Sequence, residues 1–149
     1  SCDHGHITAP LASGQLRALR DALREAGAAA DEVRYVNAHG TATPEGDPVE
    51  IDALRQHFGT AAARLAVSAT KSMHGHLMGA SGAIEALITV LSVHKGMIPP
   101  TAHRSDLDPG CTGVDHVLGE GREVGSLPLA LSNSFAFGGS NVVLAFRRA

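Results

Sequence analysis

The sequence has no tryptophan, one tyrosine and four phenylalanines, so aromatic residues fill only 3% of its 149 positions. It has two cysteines, Cys2 and Cys111, too few for a disulfide framework, and a reducing compartment is the simpler expectation. Basic residues are not in excess. Twelve Lys and Arg against fifteen Asp and Glu give a net charge of −3, which leaves no basic face for nucleic acid or an anionic lipid surface. Long apolar runs are missing too: the longest, Ala83 to Val93, contains Glu85 and falls far short of the roughly 20 residues a membrane-spanning helix needs. The opening Ser1-Cys2-Asp3-His4-Gly5-His6 lacks the basic and apolar regions of an export signal, so a cytoplasmic protein is expected. What remains is a chain long enough for one domain with a real core.

What is present is glycine, 17 residues, and histidine, nine. Two of the histidines sit in loops of small residues that each follow a short apolar stretch. One is His39, in Val36-Asn37-Ala38-His39-Gly40-Thr41-Ala42-Thr43-Pro44, and the other is His76, in Lys71-Ser72-Met73-His74-Gly75-His76. A histidine at a strand end, between residues with almost no bulk, can present a ring nitrogen to a bound substrate. A third glycine-rich turn follows at Asn133-Ser134-Phe135-Ala136-Phe137-Gly138-Gly139-Ser140-Asn141, carrying two of the four phenylalanines. Its glycines would let backbone N–H groups face a ligand, although the same pattern also suits a hairpin whose phenylalanines are merely core.

The pattern between the loops is that of an α/β protein. Leu16, Leu19, Leu23 and Ala26 share one helical face and Arg17, Arg20, Asp21 and Arg24 the other, predicting a solvated helix over 11–27 that Gly27 ends. Residues 33–37 and 64–70 read as strands entering the His39 and His76 loops. Asp47-Pro48-Val49-Glu50 supplies an N-cap, a proline at the first helical position and a glutamate placed to close a capping box, predicting a helix from about 48 to 58. Residues 79–95 read as a helix small or apolar around almost its whole circumference, hence one buried on every side. Strands near 128–133 and 141–147 flank the phenylalanine-glycine turn as a hairpin. Three helices and about five strands do not enclose helix 79–95 from two sides. Another layer is expected from outside the chain.

On position alone, His39 and His76 could equally be loop histidines satisfied by backbone carbonyls, and Thr41 and Thr43 could be turn formers. Cys2, His4 and His6 alternate, but zinc normally takes three or four protein ligands and no further pair at ligand spacing stands nearby, so no metal is expected. Cys111 lies in an Asp-Pro-Gly turn with no adjacent base. His57, His94, His103 and His116 read as surface or helix-end residues.

In this order and at these separations, the three loops resemble the C-terminal half of a β-ketoacyl-acyl carrier protein synthase, a condensing enzyme of fatty acid and polyketide synthesis. The resemblance runs from about Ser1 to the last residue. It implies a thiolase-like α/β fold: a mixed sheet with helices on both faces, normally stacked on a second similar half so that inner helices lie between two sheets. It implies decarboxylative condensation of malonyl-carrier protein with an acyl thioester, with His39 and His76 as active-site histidines, Lys71 holding the second of them, and Glu85 orienting lysine and solvent. By the same resemblance Thr41 and Thr43 face the phosphopantetheine arm, and Thr8 belongs to the strand end lining the substrate entrance. Phe135, Phe137 and Gly138 then form the acyl side of the site, with Phe137 as its gate. His74 replaces a residue that is usually small.

The family's nucleophilic cysteine belongs to an N-terminal half that would precede Ser1, so residues 1–149 are expected to be the C-terminal domain alone. The expected partners are an acyl carrier protein, that missing half, and a second subunit in a homodimer or heterodimer. No cofactor is implied beyond the phosphopantetheine that carries the substrates. The end at Phe146-Arg147-Arg148-Ala149, directly after the last strand, is the pattern of a discrete enzyme rather than a megasynthase domain. The alternative is a non-catalytic partner subunit or scaffold domain of the same fold.

Overall fold

The computed structural model describes residues 6–104 and 106–148. Cys2 and His4 of the alternating N-terminal residues lie outside them. Helix α1, Ala12–Ala26, follows its periodicity: Leu16, Leu19 and Leu23 are buried, and Arg17, Arg20 and Arg24 face water. Gly27 ends it at φ 58, a left-handed conformation that costs glycine little, and the Ala28 N–H returns to the Leu23 carbonyl at 3.0 Å. Strand β1, Val33–Asn37, is buried except at Arg34. The chain continues through α2, Gly46–Phe58, then β2, Ala66–Ser68, the single turn α3, Lys71–His74, and α4, Ser81–Lys95. Short strands β3 (Met97–Ile98), β4 (Asp115–His116) and β5 (Arg122–Glu123) precede the long pair β6, Leu129–Ala136, and β7, Ser140–Arg147.

The main sheet has the order β4-β2-β1-β6-β7. Its first four strands are parallel, and β7 joins antiparallel at the edge. Because side chains alternate across a strand, Val36, Leu129 and Leu131 point into one core with α1 and α2, while Tyr35 and Ala130 point into a second with Val93 of α4. The sheet is thus mixed and covered by helices on both faces, as expected.

Three local readings change. Strand β6 runs on to Ala136, so Phe135 is a strand residue in the first core rather than part of the turn. Helix α2 starts at Gly46, and Glu50 does not close a capping box; its carboxylate points back into the sheet ends.

Helix α4 departs most. Its buried residues are Ser81, Glu85, Thr89, Ser92 and Val93, while Leu87, Val90 and Leu91 are exposed. Apart from Val93 the inward stripe is polar, and the large apolar residues Leu87, Val90 and Leu91 lie on the outward face. Val142 and Leu144 of β7, on the same strand face as Phe146, which packs against the second core, are exposed as well. A helix that turns its apolar face out leaves that face unpartnered among the described residues.

Candidate active site

Strands β1 and β2 are parallel neighbours, with Asn37 opposite Ser68, so the loops leaving their C-terminal ends emerge side by side. Gly40 makes their contact possible. It sits at φ 39, and a β-carbon built on it would lie 2.5 Å from the Ala69 Cβ. With the two loops packed this closely, the His39 and His76 rings meet edge to face with centroids 5.7 Å apart.

Each ring has its Nδ1 engaged by the protein. Lys71, on α3, donates to the His39 carbonyl at 2.6 Å and lies 3.4 Å from His39 Nδ1. The same ammonium is ion-paired with Glu85, and both side chains are nearly withdrawn from water. Burial, then the charge of Lys71 and the neighbouring His76, push the His39 pKa down to about 3, so this imidazole is neutral at physiological pH. An ammonium facing Nδ1 places the ring proton on Nε2. At His76, Nδ1 meets the Met78 N–H at 3.2 Å and the Ser81 hydroxyl at 2.8 Å. A backbone N–H can only donate, so here too the proton belongs on Nε2. The resemblance had Lys71 holding the second histidine; in the structure it holds the first, and Ser81 and Met78 hold the second.

A buried polar network fixes the loop bases. Glu50 accepts from the His39 and Gly40 N–H groups at 2.9 and 3.0 Å and from Asn133 Nδ2 at 2.9 Å, so it ties the His39 loop to β6. Burial pushes its pKa up, against the pull of these donors. Asn37 donates to the Glu85 carbonyl at 3.3 Å and to Thr89 Oγ1 at 3.4 Å, and accepts from Thr70 Oγ1 at 3.1 Å. Sequence reasoning missed Asn37, Glu50, Ser81 and Asn133 as site residues. The available signal was asparagine, a residue that strands disfavour, at Asn37 and Asn133 within the two segments read as strands.

A cavity of about 400 Å³ is lined by His76, but not by His39, and its walls also include Thr41, Thr43, Asp47, Lys71 and Cys111. Thr43 Oγ1 accepts from the Gly46 N–H at 3.0 Å, so it is a turn former at least. Cys111 is buried, and burial with Asp47 and Asp108 nearby pushes its thiol up to about 11, which leaves little thiolate at neutral pH. His116, read as a surface residue, also lines this cavity and bonds the Cys111 carbonyl through Nε2 at 2.7 Å.

The acyl-side residues separate. Phe135 is buried, its ring centroid 6.0 Å from that of His39, and Phe137 on the turn is 77% exposed. Gly138, at φ 76, gives its N–H to the Ile7 carbonyl at 2.9 Å, so that donor is committed to the segment carrying Thr8. Thr8 itself is exposed and bonds His6 Nδ1 through its hydroxyl at 3.1 Å. His74 turns Nδ1 to the Gly75 carbonyl at 2.7 Å and lies 3.4 Å from Thr70 Oγ1 through Nε2. Among the described residues, no helix is long and apolar enough to cross a membrane.

Residues 1–105 match the family described as the C-terminal domain of beta-ketoacyl synthase. Over 150 residues the chain is 47% identical to a 3-oxoacyl-acyl-carrier-protein synthase 2 of Synechocystis sp., covering 99% of this chain and 36% of that protein. It is 45% identical over 148 residues to the protein of the same name from Staphylococcus aureus, covering 98% and 35%. It therefore spans about a third of the length of the curated relatives it matches. Among solved structures, the ishigamide ketosynthase/chain length factor aligns at a TM-score of 0.94 with 38% identity, over 100% of this chain and 36% of that one. A type II polyketide synthase acyl carrier protein in complex with its ketosynthase aligns at 0.93 with 29% identity, over the same shares.

Proposed function

The chain belongs to the β-ketoacyl synthase family and has the thiolase-like α/β fold of its C-terminal domain, and from this we propose that it supplies the decarboxylating half of a condensing active site. The observation that carries the proposal is the pair of histidines held 5.7 Å apart, each with Nδ1 engaged and Nε2–H left as a donor.

When a malonyl thioester loses CO2, the electron pair of the broken C–C bond moves into an enolate, and negative charge grows on the thioester oxygen. Two imidazole Nε2–H donors facing that oxygen would stabilise the charge without reorganising at the moment of reaction. Removing one such donor costs about 2.7–4 kcal/mol of transition-state stabilisation. The enolate carbon then attacks the acyl carbonyl carbon of a cysteine thioester, and the thiolate leaves as the chain grows by two carbons. Burial, with the charge of Lys71, keeps His39 neutral, and Lys71, itself paired with Glu85, orients it. Thr41 and Thr43, on the wall of the 400 Å³ cavity, would face the phosphopantetheine arm of a carrier protein.

The nucleophilic cysteine would come from an N-terminal half, since the raised pKa and burial of Cys111 make it a poor substitute. The unpartnered apolar face of α4 and β7 supports such a covering half, and the relatives' greater length leaves room for it. A neighbour seen with its acyl carrier protein, and one paired with a chain length factor, support a carrier protein and a homodimer or heterodimer as partners. A non-catalytic partner subunit is the second reading; both histidines and their anchors being intact favours the catalytic one. In a protein joining this chain to its N-terminal half, His39→Ala and His76→Ala are each expected to lower malonyl decarboxylation by about 10²–10³-fold while sparing acylation of the cysteine. Equal loss of both activities would overturn the assignment.

A further inference from the structure

Helix α4 presents one buried polar residue to each part of the site. Thr89 meets Asn37 at the end of β1, Glu85 meets Lys71, and Ser81, the first residue of the helix, meets His76. The spacing 81, 85, 89 keeps all three on one face. The third contact differs from the other two in what it holds. Asn37 and Lys71 are buried and confined by packing, whereas His76 is exposed, so little besides hydrogen bonds and the edge of the His39 ring fixes its orientation.

Two donors converge on His76 Nδ1, and Ser81 makes the shorter bond, 2.8 Å against 3.2 Å from the Met78 N–H. Met78 makes its contact from φ 51, a left-handed conformation that a side-chain-bearing residue adopts only under constraint. Because the Met78 N–H forbids a proton on Nδ1, the Ser81 hydroxyl must donate into the same lone pair. We infer that Ser81 is a positioning residue: with the Met78 N–H it holds His76 as the Nε2–H tautomer and fixes the direction in which that donor points. This rests on the catalytic reading of His76 above. An imidazole released to water exchanges between its two tautomers, and only one of them offers Nε2–H. Without Ser81, the single longer bond from a strained turn would remain.

The test uses a protein joining this chain to its N-terminal half, with Ser81→Ala and Ser81→Thr, read by 15N NMR of labelled histidine and by decarboxylation of malonyl-carrier protein. Ser81→Ala is expected to give His76 a mixture of tautomers and to lower kcat by about 10- to 100-fold with KM unchanged, the scale of a misplaced reacting group. Acylation of the cysteine should keep its rate. Ser81→Thr, which keeps the hydroxyl, should restore both the single tautomer and kcat. A single Nε2–H tautomer in Ser81→Ala would overturn the inference, whether or not kcat fell. Mixed tautomers with undiminished decarboxylation would support the positioning by Ser81 and overturn the catalytic reading of His76 instead.

Discussion

Lys71 Nζ lies 2.6 Å from the carbonyl oxygen of His39 and 3.4 Å from its Nδ1, so one cation grips both the backbone and the ring of the same residue. Its counter-ion Glu85 comes from the buried stripe of α4, and the lysine therefore joins the first histidine to the helix that also supports the second.

Removing the lysine alone strands a carboxylate. Glu85 is fully buried, and one of its oxygens already has no hydrogen-bond partner among the described residues. Lys71→Met is expected to destabilise the fold by about 3–5 kcal/mol, the usual cost of an uncompensated buried charge. Lys71→Met combined with Glu85→Leu should recover most of that loss, since apolar residues of similar volume replace a buried pair with little penalty. Chemical denaturation of the single and double variants measures both, and a double variant less stable than Lys71→Met would contradict the account.

The same lysine sets part of the pH behaviour of His39. Burial is the larger cause of its depressed pKa and the charge of Lys71 the next. Between pH 6.5 and about 3 the unfolded chain binds a proton that the native histidine refuses. The contribution of His39 to stability is therefore whole above 6.5 and declines as the pH falls toward 3. In an NMR titration His39 should stay neutral where an ordinary histidine is charged. Lys71→Met should raise its pKa without returning it to 6.5, because the burial remains. A wild-type His39 titrating near 6.5 would refute the assignment.

Much of this was legible in the sequence because the relevant signals are local. The amphipathic period of α1, Gly27 at its end, and the two histidine loops after apolar stretches all appear where the pattern puts them. What escaped depends on contacts distant in sequence. Glu50 looks like a capping residue because its neighbours are Asp47 and Pro48, yet its partners are His39, Gly40 and Asn133. Helix α4 reads as apolar all round because Ser81, Glu85 and Thr89 are few; only the sheet behind it, with Asn37 and Lys71, makes that polar stripe the inward one. Hydropathy counts such residues but cannot say which way they point.

Gly40 should be the least replaceable glycine of the histidine loops. An added methyl group would meet the Ala69 Cβ at 2.5 Å and would also have to accept φ 39. Gly27 offers an internal control, having a similarly left-handed φ of 58 but open space where a β-carbon would go, with nothing within 4 Å. Gly27→Ala therefore carries the conformational cost alone, about 1 kcal/mol. Gly40→Ala should cost more, because the His39 and His76 loops must move apart, and it should lower decarboxylation where Gly27→Ala does not. Equal melting temperatures for the two variants would mean that the loop contact contributes nothing.

The outward face of α4 gives the last expectation. Leu87, Val90 and Leu91 on the helix are 53%, 43% and 44% exposed, and Val142 and Leu144 on β7 add 51% and 43% on the same side of the sheet. The largest apolar patch on an ordinary monomer covers roughly 300–600 Å² and is often itself functional. Five large aliphatic side chains exposed together on one layer make a surface that water disfavours. The 149-residue chain alone should therefore self-associate or bind a hydrophobic dye, and Leu87→Glu with Leu91→Lys should suppress both. The same substitutions should weaken assembly with an added N-terminal half, because a charge buried there without a partner is costly. If the unmodified chain sediments as a monomer, ignores the dye and melts cooperatively, the face needs no cover, and the chain would be an autonomous domain rather than half of a larger fold.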